Sequence, residues 1–209
     1  MIRSCLFVAL AIGFISVAQA EEGWKELTNG KDFTGWKVNE ENPSTWTIKD
    51  GAFVAHGERS HIFYDGPEQP MKDFELKVDV LTEKGANGGI YIHTKYQPNE
   101  WPKEGYEIQV NNSKKGDRSK DPKKTASVYG VKNIEESPVG DNEWYTYHII
   151  VKGKTITVKI NDKVVNEFTE EPDRQPGKDF TRILSEGTIG FQAHDPHSIV
   201  HYKNVRLKK

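Results

Sequence analysis

The sequence contains one cysteine in 209 residues, Cys5. That cysteine lies in an N-terminal segment built like a secretory signal. Arg3 supplies the charge, Leu6 to Val17 the apolar run, and Ala18-Gln19-Ala20 a small-x-small cleavage signature. The run is short for a membrane span, and no second apolar stretch follows it. The reading is a signal peptide at 1–20, no integral membrane segment after cleavage, and an exported domain, periplasmic or secreted, at 21–209. Removing 20 of 209 residues leaves 189, enough for one substantial core. With the cysteine gone, that core must hold without a disulfide. Thiolate catalysis and cysteine-ligated zinc are excluded for the same reason. An excess of either charge is also missing: 29 Lys+Arg stand against 31 Asp+Glu. That balance gives no basis for a nucleic-acid or anionic-membrane partner. The densest basic run, Lys114 to Lys124, is broken by Asp117 and Asp121 and reads as a solvated loop. A Gly-x-Ser-x-Gly elbow and a His-x-Glu-x-x-His zinc motif are absent.

A sustained 3.6-residue apolar stripe is absent too. Short alternating runs separated by Gly, Asn, Asp and Pro stand in its place, the pattern of an all-β sandwich. Phe74, Leu76, Val78 and Val80 alternate with Glu75, Lys77 and Asp79. Lys49-Asp50-Gly51 and Asn161-Asp162 each sit between two such runs and predict hairpins. A short helical turn is expected around Phe180 to Leu184. Near the end, the apolar parity slips between Val200/Tyr202 and Val205/Leu207, which predicts a bulge in a last strand that caps a sheet. About a dozen strands suit a single jelly-roll sandwich better than an immunoglobulin type.

Three runs carry polar groups on one parity and apolar groups on the other. They are Tyr91 and His93, Glu107 and Gln109, and Gln192 and His194. If these strands neighbour one another, the polar groups converge on one face. Carboxylate and amide groups bind hydroxyls, and aromatic rings stack on sugar faces. An oligosaccharide or glycoside is therefore the expected partner. Trp101, Tyr129 and Trp144, with Tyr91, are candidate stacking rings. A usual glycosidase needs two carboxylates flanking the bond. The Glu107 strand offers Glu107, Gln109 and Asn111, a single carboxylate; Asp195 is another, with no spacing that ties it to Glu107. His194-Asp195-Pro196-His197, with His93 and Glu107, supplies donors suited to one divalent cation, although such groups are equally common as hydrogen-bonding partners.

Seven segments, in order, resemble the 3-keto-disaccharide hydrolase domain family. They are Leu27 to Trp36, Trp46 to Gly51, Asp73 to Leu76, Asn87 to Tyr91, Gly105 to Gln109, Glu143 to Tyr147, and Gly187 to His194. The resemblance implies a concanavalin A-like jelly roll and chemistry on glycosides oxidised to a ketone at C3. Such a ketone acidifies the C2 proton, so its removal lets the C1 substituent leave, with or without later addition of water. That route needs one base, not paired carboxylates. Carried across, the resemblance implies Glu107, His194 and His93 as catalytic groups or ligands. It implies Gln109, Tyr91 and Gln192 as hydroxyl contacts; Asp195, Tyr129 and Trp101 are further candidates for binding substrate. His93 stands where many relatives carry arginine. The alternative is a non-catalytic, lectin-like carbohydrate-binding module.

Overall fold

The computed structural model describes residues 22–114 and 121–209. The expected signal peptide and Cys5 lie outside the described residues, as does the middle of the basic run. Among the described residues thirteen strands are present. They are β1 (Lys25–Glu26), β2 (Trp36–Val38), β3 (Trp46–Lys49), β4 (Ala52–His56), β5 (Ser60–Tyr64), β6 (Phe74–Thr82) and β7 (Gly88–Thr94). β8 (Tyr106–Val110), β9 (Tyr145–Lys152), β10 (Thr155–Ile160), β11 (Lys163–Thr169), β12 (Thr188–Ala193) and β13 (Ile199–Lys208) complete the set. No helix among the described residues is long and apolar enough to cross a membrane.

The strands form two antiparallel sheets, a concanavalin A-like jelly-roll sandwich. The larger runs β11-β10-β9-β6-β13-β4-β3, with β1 also on β13. The smaller runs β2-β5-β12-β7-β8. Both expected hairpins form, and their turns hold the positive φ values that Asp-Gly and Asn-Asp tolerate: 51° and 76° at Asp50 and Gly51, 49° and 64° at Asn161 and Asp162. The expected bulge in β13 is present between Lys203 and Arg206. β13 does not cap the sheet, however. It lies inside it, paired on both sides by β4 and β6. The segment around Phe180 to Leu184 is not a helical turn but irregular chain. Pro176 and Gly177 precede it; Thr181 O accepts from Gly177 N–H, and Thr181 N–H donates to Lys103 O of another loop.

β6 buries every second residue, as its period of two requires. Leu76, Val78 and Val80 meet Ile90, Ile108 and Ile189 of the facing sheet in one cluster. Phe191 stacks on Tyr202 of the large sheet at 4.5 Å, tying the sheets together, and on Trp36 of its own sheet at 5.0 Å. Each such ring contributes about 1.5–3 kcal/mol by burial. With apolar groups spent inward, the small sheet carries polar and aromatic side chains on its other face, which loops cover so that β5, β7 and β12 are buried on both sides.

One irregularity decides which side chains reach that face. Between β12 and β7 the register steps from Thr188↔Thr94 to Gly190↔Tyr91, two residues on one strand against three on the other. The extra residue makes a β-bulge, and His93 sits in it at φ 52°. Past this point the strict alternation of β7 no longer holds.

Candidate functional site

The outer face of the small sheet floors a cleft of about 420 Å³. Tyr91 of β7, Glu107 and Gln109 of β8, and Gln192 and His194 at the end of β12 all line it. The shared parity read from the sequence therefore converges, because β12, β7 and β8 are consecutive neighbours. Loops raise the walls. One brings Trp101 and Glu104, a second Asp121 and Tyr129, a third Phe180 and Arg182.

Glu107 lies across Gly89 of the neighbouring strand. A Cβ at Gly89 would meet Glu107 Oε1 at 2.6 Å, so the glycine makes room for the carboxyl. Gln192 Nε2 donates to Glu107 Oε1 at 3.0 Å and to the Tyr91 hydroxyl at 2.9 Å. Turned to donate, the Gln109 amide reaches Glu107 Oε1 at 3.2 Å and Gly88 O at 3.1 Å. Burial pushes the Glu107 carboxyl up to about 7; bonds from Gln192 and Tyr91 and the Arg182 charge pull the other way, while Asp121 adds to the rise. The carboxyl is thus poised to hold a proton near neutrality. Burial likewise raises Tyr91 far above the ordinary phenol, so it stays a neutral hydroxyl.

His194 Nδ1 lies 2.8 Å from Asp195 Oδ2. Asp195 also accepts from Ser198 Oγ and from the His197 N–H, each at 2.9 Å. Burial works against ionising Asp195, yet the bonds from His194, His197 and Ser198 hold its carboxyl below the usual range. An ionised Asp195 fixes the proton on Nδ1 and leaves Nε2 as the nitrogen with a free lone pair. Asp195 therefore orients His194 from behind and is not part of the cleft lining, contrary to its expected contact with substrate.

Two carboxylates on the walls are tied to lysines. Glu104 pairs with Lys95 at 2.8 Å, and Asp121 lies 3.4 Å from Lys123 Nζ while accepting from the Tyr129 hydroxyl at 3.1 Å. The backbone N–H of Tyr129 donates to Glu107 O at 2.9 Å, so this wall is bonded along the edge of β8. The third wall hangs from buried Glu170, which accepts from Leu184 N–H at 2.6 Å and from the Tyr106 hydroxyl at 2.8 Å. Thr181 N–H donates to Lys103 O at 2.8 Å, joining this wall to the first. Between them Arg182, at φ 47°, reaches past Gly130.

His93 is not in the cleft. Its ring packs on Phe74 at 5.7 Å and bridges Lys72 O, 2.8 Å from Nε2, and Ser185 N–H, 3.2 Å from Nδ1. The bulge turned it away, and burial depresses its basicity. The proposed trio of Glu107, His93 and His194 is consequently dispersed. Among the described residues no three His, Cys, Asp or Glu side chains are grouped to hold a metal ion. Trp144 is also elsewhere, half-exposed on the large sheet under Lys203 Nζ at 3.7 Å. Arg182, Phe180 and Asp121 are not marked as site residues by the sequence, because loops carry no periodicity. His61, which packs beside the site, carried a weak parity signal in His61-Ile62-Phe63.

The sequence profile of a family described as the 3-keto-alpha-glucoside-1,2-lyase-like domain matches residues 23–208. A protein of Bacteroides thetaiotaomicron named 3-keto-disaccharide hydrolase is 25% identical over 90% of this chain and 78% of its own length. A Parabacteroides distasonis crystal structure, provisionally named a glycosyl hydrolase, is 27% identical, with a TM-score of 0.73 over 90% of this chain and 94% of its own. The carbohydrate-binding module CBM66 of Bacillus subtilis shares the fold, with a TM-score of 0.57 at 18% identity, over 85% of this chain and 98% of its own.

Proposed function

Because this chain belongs to the 3-keto-alpha-glucoside-1,2-lyase-like domain family, we propose that it is an exported enzyme that cleaves 3-keto-glycosides by elimination. The observation that carries this reading is the pairing, in one cleft, of a carboxyl titrating at about 7 with an imidazole oriented by Asp195. Such a site holds one proton donor and one base of different kinds. The other carboxylates of the lining, Glu104 and Asp121, stand on the walls and each pairs with a lysine.

The proposed step runs as follows. The C2–H bond breaks and its proton goes to His194 Nε2. The electron pair moves into C2–C3, leaving charge on the C3 oxygen, where the Arg182 cation offsets it. The C3 carbonyl then re-forms, the C1–O bond breaks and a C1–C2 double bond appears. Protonated Glu107 gives its proton to the departing oxygen. Water can add across the new double bond, hydroxyl to C1 and hydrogen to C2, to complete a net hydrolysis.

The test is incubation of the protein with a 3-keto-α-glucoside in D2O. Release of the C1 substituent, with deuterium entering C2, is expected, and the unoxidised glucoside should remain intact. Cleavage of the unoxidised compound without exchange would replace this mechanism with a two-carboxylate one. Binding without turnover of either would leave a lectin-like module, a role that the rim rings Trp101, Tyr129 and Phe180 could serve.

Asp195→Asn separates orientation from binding. The amide presents an N–H to His194 and favours the tautomer with Nε2 protonated, which cannot take the C2 proton. Exchange at C2 should fall about 10- to 100-fold, with KM within about threefold. An unchanged exchange rate would remove His194 as the base.

A further inference from the structure

His61 and Gln192 are cross-strand partners in the small sheet; Gln192 lines the cleft, and His61 lies buried beside it. Both are buried, at 0% and 2% exposure. Among the described residues, neither ring nitrogen of His61 has a hydrogen-bond partner, and neither does Gln192 Oε1. Gln192 spends its NH2 on Tyr91 and Glu107 and turns its carbonyl away from them. The His61 ring is walled by aromatic groups, Tyr91 at 5.6 Å and Trp101 at 5.5 Å. The Trp101 ring also lies 5.3 Å from His194 and under the Arg59 guanidinium at 5.0 Å, so it roofs His61 beside the reacting centre.

A buried donor or acceptor left unpaired costs about 1–3 kcal/mol. Phenylalanine at position 61 would fill the same aromatic box without that cost. The fold therefore gives no reason for an imidazole here, and a ligand group does. A neutral imidazole offers one N–H and one lone pair, and Gln192 Oε1 offers lone pairs. A hydroxyl matches the pair: it accepts from the imidazole N–H and donates to the amide oxygen.

We infer that His61 and Gln192 Oε1 form a hydroxyl-binding subsite at the cleft floor beside Trp101, which fixes one hydroxyl of the bound sugar. The inference rests on the reading that this cleft binds a glycoside. Burial, aided by the charge of Arg59, drops the His61 pKa to about 3, so the ring stays neutral and keeps both hydrogen-bonding roles at working pH. His61 is a binding and positioning residue in this scheme, and the proton transfers remain with His194 and Glu107.

The test compares wild type, His61→Phe and His61→Gln on a 3-keto-glucoside and its monodeoxy analogues. His61→Phe should melt no lower than wild type, raise KM at least tenfold and leave kcat within threefold. One deoxy analogue should lose affinity for wild type and none further for His61→Phe. His61→Gln, which keeps a donor and an acceptor, should recover part of the KM. Wild-type KM in His61→Phe, with or without a lower Tm, overturns the inference and assigns the imidazole to the fold. If His61→Phe does not fold, Trp101→Ala replaces it. That change, which removes the ring over His61, should abolish the same deoxy preference, and retention of the preference overturns the subsite. A wild type that neither binds nor cleaves any 3-keto-glycoside overturns the function reading as well, and that outcome is recognisable before any variant is made.

Discussion

Glu107→Gln should leave C2 exchange running while release of the C1 substituent falls by about 10²- to 10⁴-fold, the usual contribution of a positioned general acid. The amide keeps the shape of the carboxyl and its contact with Gln192, but it has no proton to give. The exchange readout divides the roles. If exchange is lost with release, Glu107 is the base and His194 the donor. If neither changes, Glu107 takes no part in the chemistry, and the bound sugar is held without turnover by this group. In wild type the proton is present below pH 7 and lost above it, so kcat should decline on the alkaline side of about 7. Gln at this position should abolish that limb.

The same shift carries a stability signature that needs no substrate. An ordinary glutamate titrates at 4.5, and this one at about 7 in the folded chain. Below 4.5 both states hold the proton and its contribution is complete. Between 4.5 and 7 the unfolded chain releases its proton first, so stability falls as pH rises through that window. Glu107→Gln removes this loss. Its Tm should exceed wild type by more at pH 8 than at pH 4.5; an equal difference at both would mean that burial does not set the pKa.

The parts of the sequence that obeyed a short period were legible. Asp50-Gly51 and Asn161-Asp162 named their hairpins, and the alternation of Phe74 to Val80 named its strand. Tyr91, Glu107, Gln109, Gln192 and His194 reached one face because a period of two leaves no other choice once the strands are neighbours. His93 obeyed the same rule on paper and broke it in space, since one inserted residue reverses every parity beyond it. His61 sat on the right parity, but only the pairing of β5 with β12 reveals that it lies beside Gln192, and that pairing spans more than a hundred residues. Arg182 was illegible. Its place depends on a loop bonded to Glu170 and Lys103, and neither bond has a sequence signature.

The bulge at His93 leads to the largest expected loss of stability, at Gly105 rather than in the apolar core. Gly105 enters β8 at φ 76°, and a Cβ there would lie 2.0 Å from Ile92 O and 2.7 Å from His93 O. Those neighbours are backbone, and they belong to the bulge. Gly187 presses on the same turn from β12, with its Cβ position 2.3 Å from Thr94 O. The bulge is therefore clamped between two glycine backbones and pinned through the His93 ring to Lys72 O and Ser185 N–H. It cannot yield to a methyl group without breaking pairs in both β7 and β8. Gly105→Ala should cost about 4 kcal/mol or more, from the strained φ together with the displaced ladder. A change of that size is a large part of a typical domain's stability. It should appear as a sharp drop in the urea midpoint. Because Glu107 is two residues further along the displaced strand, cleavage in whatever fraction still folds should fall too. A midpoint within about 1 kcal/mol of wild type would show that the bulge can relax. The glycine at the head of the Glu107 strand would then be a convenience of the turn, and the position of the carboxyl would have to be set by Gln192 and Tyr91 alone.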